Sequence, residues 1–182
     1  ITIYDFNDNL VERPIKTSNL KVGQVDLEDY DHFMQKEIFE QPQAIRDTLE
    51  SRITNDAVVI PAFGHDAEKI FQKIRQVQIV ACGTSYHAGL VAKYWLEDIA
   101  KIPCNVEVAS EYRYRHPILL NDTLFVTLSQ SGETADTVEA LKTAKKINSS
   151  INSLCISNSS ESSLTRLSDL NFLTHAGPEI GV

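Results

Sequence analysis

From residue 76 onward the chain repeats one order: an apolar run, a short polar turn, then an amphipathic stretch of helical period. The apolar runs are Gln78–Ala81, Asn105–Ala109, Thr123–Leu128, Ser153–Ile156 and Leu170–Thr174, and the first, third and fourth are almost unbroken in Val, Ile, Leu, Phe or Ala. Short runs without alternation suit strands covered on both faces, as in a parallel sheet. Between them, Ala88, Val91, Ala92, Trp95 and Ile99 form one helical stripe, and Val138, Leu141, Ala144 and Ile147 form another. Alternating β and α units predict an α/β fold, a doubly wound and mainly parallel five-stranded sheet flanked by helices and joined by right-handed crossovers.

The first 75 residues read differently. Residues 1–15 alternate around Asn7-Asp8-Asn9 as a hairpin does, and residues 17–30 lose all period, as a linker would. A helix is expected from Phe33 to Ile53, with Met34, Ile38, Ile45, Leu49 and Ile53 on one face. Pro42 inside it should kink or restart the helix. A loop over 54–65 and a short helix over Ala67–Ile74 complete the lead-in to the first strand. The chain opens on Ile1, has Met34 as its only methionine and closes on an apolar step, Ile180-Gly181-Val182, so it reads as a piece of a longer polypeptide.

In a doubly wound sheet, ligands bind beyond the carboxyl ends of the strands, where strand order reverses. Two polar turns fall there: Cys82-Gly83-Thr84-Ser85 after the first run, and Ser129-Gln130-Ser131-Gly132-Glu133-Thr134 after the third. The second places three hydroxyls around a glycine directly before a helix, whose first turn offers unpaired N–H donors and the positive end of its dipole. A dianionic phosphate can be held there without lysine. The competing reading is a plain helix cap, which accounts for Thr134 but not for Ser129 and Ser131. Glu133 is expected to turn outward, since a carboxylate facing a phosphate repels it. Thr84 and Ser85 could meet a second ligand group, or Ser85 could simply cap the following helix.

Composition narrows the classes further. A net charge of -8 with no long basic run argues against nucleic acid, and no apolar run approaches membrane-spanning length. Cys82, Cys104 and Cys155 lie 22 and 51 residues apart, which fits no zinc spacing and leaves one thiol over in any disulfide scheme. Reduced thiols in a cytoplasmic protein follow. Neither turn carries a P-loop lysine or a dinucleotide glycine pattern. Tyr112, Arg113, Tyr114, Arg115 and His116 read as a solvated or interface-facing helix, and His87 as a surface histidine. No metal, cofactor, catalytic triad or Schiff-base lysine is evident, so the residues alone lead to a binding pocket.

Several ordered stretches resemble one family. Cys82-Gly83-Thr84-Ser85-Tyr86, Ile102-Pro103-Cys104, Ala109 to Arg115 and Leu128 to Thr137 are similar to the first sugar isomerase domain of glutamine-dependent fructose-6-phosphate aminotransferases, the glucosamine-6-phosphate synthase family. Phe33 to Pro42 resembles the helix that opens the isomerase half of those enzymes, and Gly177 to Val182 the start of a family loop. The resemblance implies a flavodoxin-like sugar isomerase domain over 31–182. Residues 1–30 would then be the hairpin and linker that end a glutamine amidotransferase domain. It implies binding of fructose 6-phosphate or glucosamine 6-phosphate by Thr84, Ser85, Ser129, Gln130, Ser131, Thr134 and the backbone of Val182, in a cytoplasmic homodimer without cofactor. The family's nucleophilic cysteine, and its lysine, glutamate base and ring-opening histidine, have no counterpart in these 182 residues, so this chain should bind without turnover. A phosphosugar-sensing regulator domain is the alternative, and a purely structural assembly domain a weaker one.

Overall fold

The computed structural model describes residues 2–12 and 26–181. Five strands form one sheet: β1 (Gln76–Ala81), β2 (Cys104–Val108), β3 (Thr123–Leu128), β4 (Asn152–Ser157) and β5 (Leu170–Leu173). Their order is β2-β1-β3-β4-β5, and every pairing is parallel. All five predicted runs are strands, with ends shifted by at most two residues. Side chains alternate across the pleat. Val80, Phe125 and Cys155 join one core cluster, while Val77, Ile79, Leu124, Val126 and Leu154 join another on the opposite face.

Handedness decides which face each helix covers. The connection from β1 to β2 runs one way along the sheet and the later ones run the other way, so right-handed crossovers put α3 (Gly83–Asp98) on one face. The opposite face takes α4 (Ala109–Tyr114), α5 (Ala135–Ile147) and α6 (Ser163–Leu167), and it is sealed by Tyr112, Val138, Leu141, Ala144 and Leu164. Among the described residues α3 shares its own face with α2 (Ala67–Phe71) and the short 3-10 turn Ile60–Phe63.

The consequence corrects the expected stripe on α3. Val91, Trp95 and Ile99 are exposed, Trp95 by 63%. Ala92, Trp95 and Ile99 flank an apolar trough of about 550 Å³ floored by Ile79, Val126 and Leu154. The stripe points sideways along the sheet, beside the trough, rather than straight down onto it.

The lead-in also departs from expectation. α1 runs Phe33–Leu49 without interruption, so Pro42 neither ends nor restarts it, and it stops before Ile53, which instead bridges Val58. The four apolar-face residues that lie within it, Met34, Ile38, Ile45 and Leu49, are exposed, and the residue it buries is Lys36, whose ammonium meets the Asp26 carbonyl at 2.5 Å and Glu28 at 2.8 Å. Polar contacts therefore hold α1. The expected hairpin is one antiparallel bridge, Tyr4 to Leu10, around a turn in which Asp5 accepts the N–H groups of Asn7 and Asn9. Residues 17–25 of the expected linker lie outside the described residues. The helix expected over Ala67–Ile74 ends at Phe71.

Candidate functional site

β1 and β3 are neighbours with Ala81 opposite Leu128, so the two polar turns leave the sheet side by side. This is the point where strand order reverses, at which doubly wound folds open a crevice. Their following helices start together too: Thr137 in the first turn of α5 reaches Cys82, the residue before α3, at 4.0 Å.

In the serine turn the hydroxyls are tied mainly to the turn itself. Ser129 Oγ, buried, pairs with Thr134 Oγ1 at 2.9 Å and accepts the N–H of Gly132 at 3.1 Å. Ser131, exposed, accepts the N–H of Glu133 at 3.2 Å. Thr134 stands at the N-cap of α5 yet makes no side-chain cap bond. The capping reading accordingly loses the residue it explained best. The helix's first-turn N–H groups have no intrahelical partner and face the crevice end of the element.

Backbone contacts fix the turn from behind. Gln130 O accepts both the Asn158 N–H at 3.0 Å and the Ser157 hydroxyl at 3.2 Å. Gly132 has φ +66°, and a Cβ there would sit 2.0 Å from Ser162 Oγ, which is why this position takes glycine. Glu133 does turn away: its carboxylate accepts the Ser163 N–H at 2.7 Å at the start of α6. Hydrogen bonds from Ser163, its side chain first and its backbone second, hold that carboxyl below the usual glutamate range, helped by Arg166.

In the other turn α3 begins at Gly83, so Thr84 and Ser85 lie inside its first turn, Thr84 exposed and Ser85 half-buried. Ser85 does not cap; the N-cap is Cys82, again without a side-chain bond. The structure thus brings Thr84, Ser85, Ser129, Gln130, Ser131 and Thr134 to one rim. Val182 lies outside the described residues. His87 is exposed on α3, against the ring of Tyr86.

The basic aromatic cluster divides. Tyr112 is fully buried edge-on to Phe125, and burial pushes its phenol upward. Arg113 pairs with Asp136 at 2.8 Å, and Arg115 with Glu107 at 2.6 Å. A reading of 112–116 as solvated thus fails at Tyr112, which follows the inward face of α4. Sequence reasoning did not single out Ser157 and Asn158, which hold Gln130 O, or Glu37, which accepts the N–H groups of Ile180 and Gly181; no spacing rule marks them, because these partners are backbone atoms distant in sequence.

Among the described residues no helix is long and apolar enough to cross a membrane. Comparison with known proteins agrees with the geometry. The model of the SIS domain matches residues 70–182. The chain is 54% identical, over all 182 residues, to a glutamine–fructose-6-phosphate aminotransferase (isomerizing) of Pseudomonas putida, spanning 30% of that protein's length. It is 60% identical over 154 residues, 85% of this chain and 25% of the relative, to the enzyme of that name from Pseudomonas syringae pv. tomato. Among solved structures, the C-terminal domain of glucosamine-fructose-6-phosphate aminotransferase from Francisella tularensis superimposes with a TM-score of 0.81 at 47% identity, over 86% of this chain and 44% of that one. The family model covers more than half of the chain, and the chain belongs to the SIS domain family.

Proposed function

We propose that this chain is the fructose-6-phosphate-binding first isomerase domain of an enzyme that makes glucosamine 6-phosphate and glutamate from fructose 6-phosphate and glutamine. Residues 31–182 form that domain, and 1–30 are the end of a preceding glutamine-hydrolysing domain. The names of the relatives and their full-chain similarity support the enzyme over a regulator. In this reading Ser129, Gln130, Ser131 and Thr134 hold the phosphate, while Thr84, Ser85 and the backbone of Val182 meet the sugar. The parent protein is a cytoplasmic homodimer whose remaining chemistry lies in segments other than these.

One observation carries the reading: Thr134 leaves the N-terminus of α5 uncapped at the strand-order reversal. A phosphate settling there gains the helix dipole and charge-assisted bonds from first-turn N–H groups and rim hydroxyls. Two or three such bonds, net of ordering, correspond to about 4 kcal/mol and a Kd of about 1 mM. Glu133, drawn off to Ser163, does not oppose the charge.

Calorimetric titration of this chain with fructose 6-phosphate, fructose and inorganic phosphate tests it, with Ser131→Ala alongside. Saturable heat is expected for both phosphate-bearing ligands and not for fructose, weakened by about three- to tenfold in the variant. Absence of saturable binding by either phosphate ligand at tens of millimolar, or equal binding of fructose, would overturn the proposal.

A further inference from the structure

Beyond β5 the backbone runs as a strap along the rim, held at its two ends and, between them, at His175, whose N–H donates to Thr48 Oγ1 at 2.9 Å and whose Nδ1 lies 3.1 Å from Asp47 O on α1. At the near end Thr174 N–H donates to Ser157 O at 2.8 Å, Ala176 N–H and Thr174 Oγ1 donate to Asn158 Oδ1 at 2.9 and 3.1 Å, and Asn158 Nδ2 donates to Gly177 O at 2.6 Å. Asn158 is the residue whose own N–H holds Gln130 O, so the strap begins one residue from the serine turn. At the far end the N–H groups of Ile180 and Gly181 both donate to Glu37 Oε1, at 2.7 and 2.8 Å. A Cβ on Gly181 would lie 2.9 Å from both N and Cα of Met34, so the strap's backbone is pressed against the first turn of α1.

We propose that Glu37 is a positioning residue: through its carboxylate it fixes the far end of the 174–181 strap against α1, and so sets where the strap's backbone meets the sugar of a bound sugar phosphate. The proposal rests on the reading of the serine turn as the phosphate cradle and of Val182 as a sugar contact. A carboxylate accepting two consecutive N–H groups makes charge-assisted bonds to the stretch beyond Gly177, which lies past the anchors at Asn158 and His175. The neighbouring ammonium does not compete for it, because Lys36 turns to Glu28 and Glu40. The resemblance of 33–42 to a family helix thereby acquires a physical task. α1 buries little apolar surface, and it carries anchors for the strap, Asp47 and Thr48 at His175 and Glu37 at the far end.

Glu37→Ala and Glu37→Gln, made in this chain, separate positioning from mere folding. In the alanine variant, hydrogen exchange at Ile180 and Gly181 should accelerate at least about tenfold, as loss of a charge-assisted pair requires. Fructose 6-phosphate affinity should fall toward that of inorganic phosphate, whose own binding stays unchanged, and the glutamine variant, which keeps an acceptor oxygen, should recover most of both. Unchanged exchange at the strap, or equal loss of both ligands, overturns the role. If wild type binds neither ligand, the cradle reading fails by itself. The exchange arm then still decides whether Glu37 holds the strap.

Discussion

Adding one methyl group at Gly132 should nearly unfold the domain, and the structure says why in three parts. First, φ at Gly132 is +66°, a left-handed value that costs an alanine about 1–2 kcal/mol. Second, the new Cβ would lie 2.0 Å from Ser162 Oγ, and that hydroxyl is not free to swing: it accepts the Thr165 N–H at 3.3 Å as the N-cap of α6, and losing the cap costs about 1 kcal/mol. Third, Ser162 Cβ itself would be 2.4 Å away, and no rotation moves a Cβ, so α6 or the serine turn must shift at an overpacking cost of about 1–3 kcal/mol. Together Gly132→Ala should destabilise by roughly 3–6 kcal/mol, a large part of a domain's usual 5–15 kcal/mol. Urea unfolding followed by far-ultraviolet circular dichroism measures it. Ser162→Gly removes the two nearest atoms and leaves Ser157 Oγ at 2.9 Å, so in that background the same alanine should cost less, about 1–3 kcal/mol, from the backbone and that one remaining contact. A cost below about 1 kcal/mol in wild type, or equal costs in the two backgrounds, would refute the packing argument.

Burial pushes the Cys104 and Cys155 thiols up to about 11, so in the native chain Ellman's reagent near pH 8 should titrate Cys82 rapidly and the other two only after denaturant is added. The same shifts set a pH dependence. Above the ordinary thiol value near 9 the unfolded chain loses these protons while the folded one keeps them, so stability should be full below about pH 9 and decline as pH rises toward 11; a flat urea midpoint across that window would contradict it. The sole tryptophan, Trp95, should emit at a water-exposed wavelength and be quenched readily by acrylamide, whereas a blue-shifted, protected emission would mean that the trough beside α3 is covered in solution.

Much of this fold is legible along the chain because parallel strands buried on both faces leave unbroken apolar runs, as Thr123–Leu128 does. The serine turn is equally legible, since its hydroxyls, glycine and following helix are contiguous. What hides is of two kinds. Asn158 and Glu37 act on backbone groups 18 to 19 and 143 to 144 residues away, and a backbone acceptor or donor has no residue type to betray it. Periodicity, for its part, reports that a helix has an apolar face without reporting what covers it. On α5 the stripe of Val138, Leu141 and Ala144 meets the sheet and is buried, whereas on α3 Val91, Trp95 and Ile99 obey the same spacing and stand open. The difference lies in the crossovers, since three connections deliver helices to one face of the sheet and a single connection serves the other. An apolar stripe on α3 beside an apolar trough of about 550 Å³ thus marks where the described elements cover this face of the sheet less fully, and it does so by topology rather than by any feature of the stripe itself.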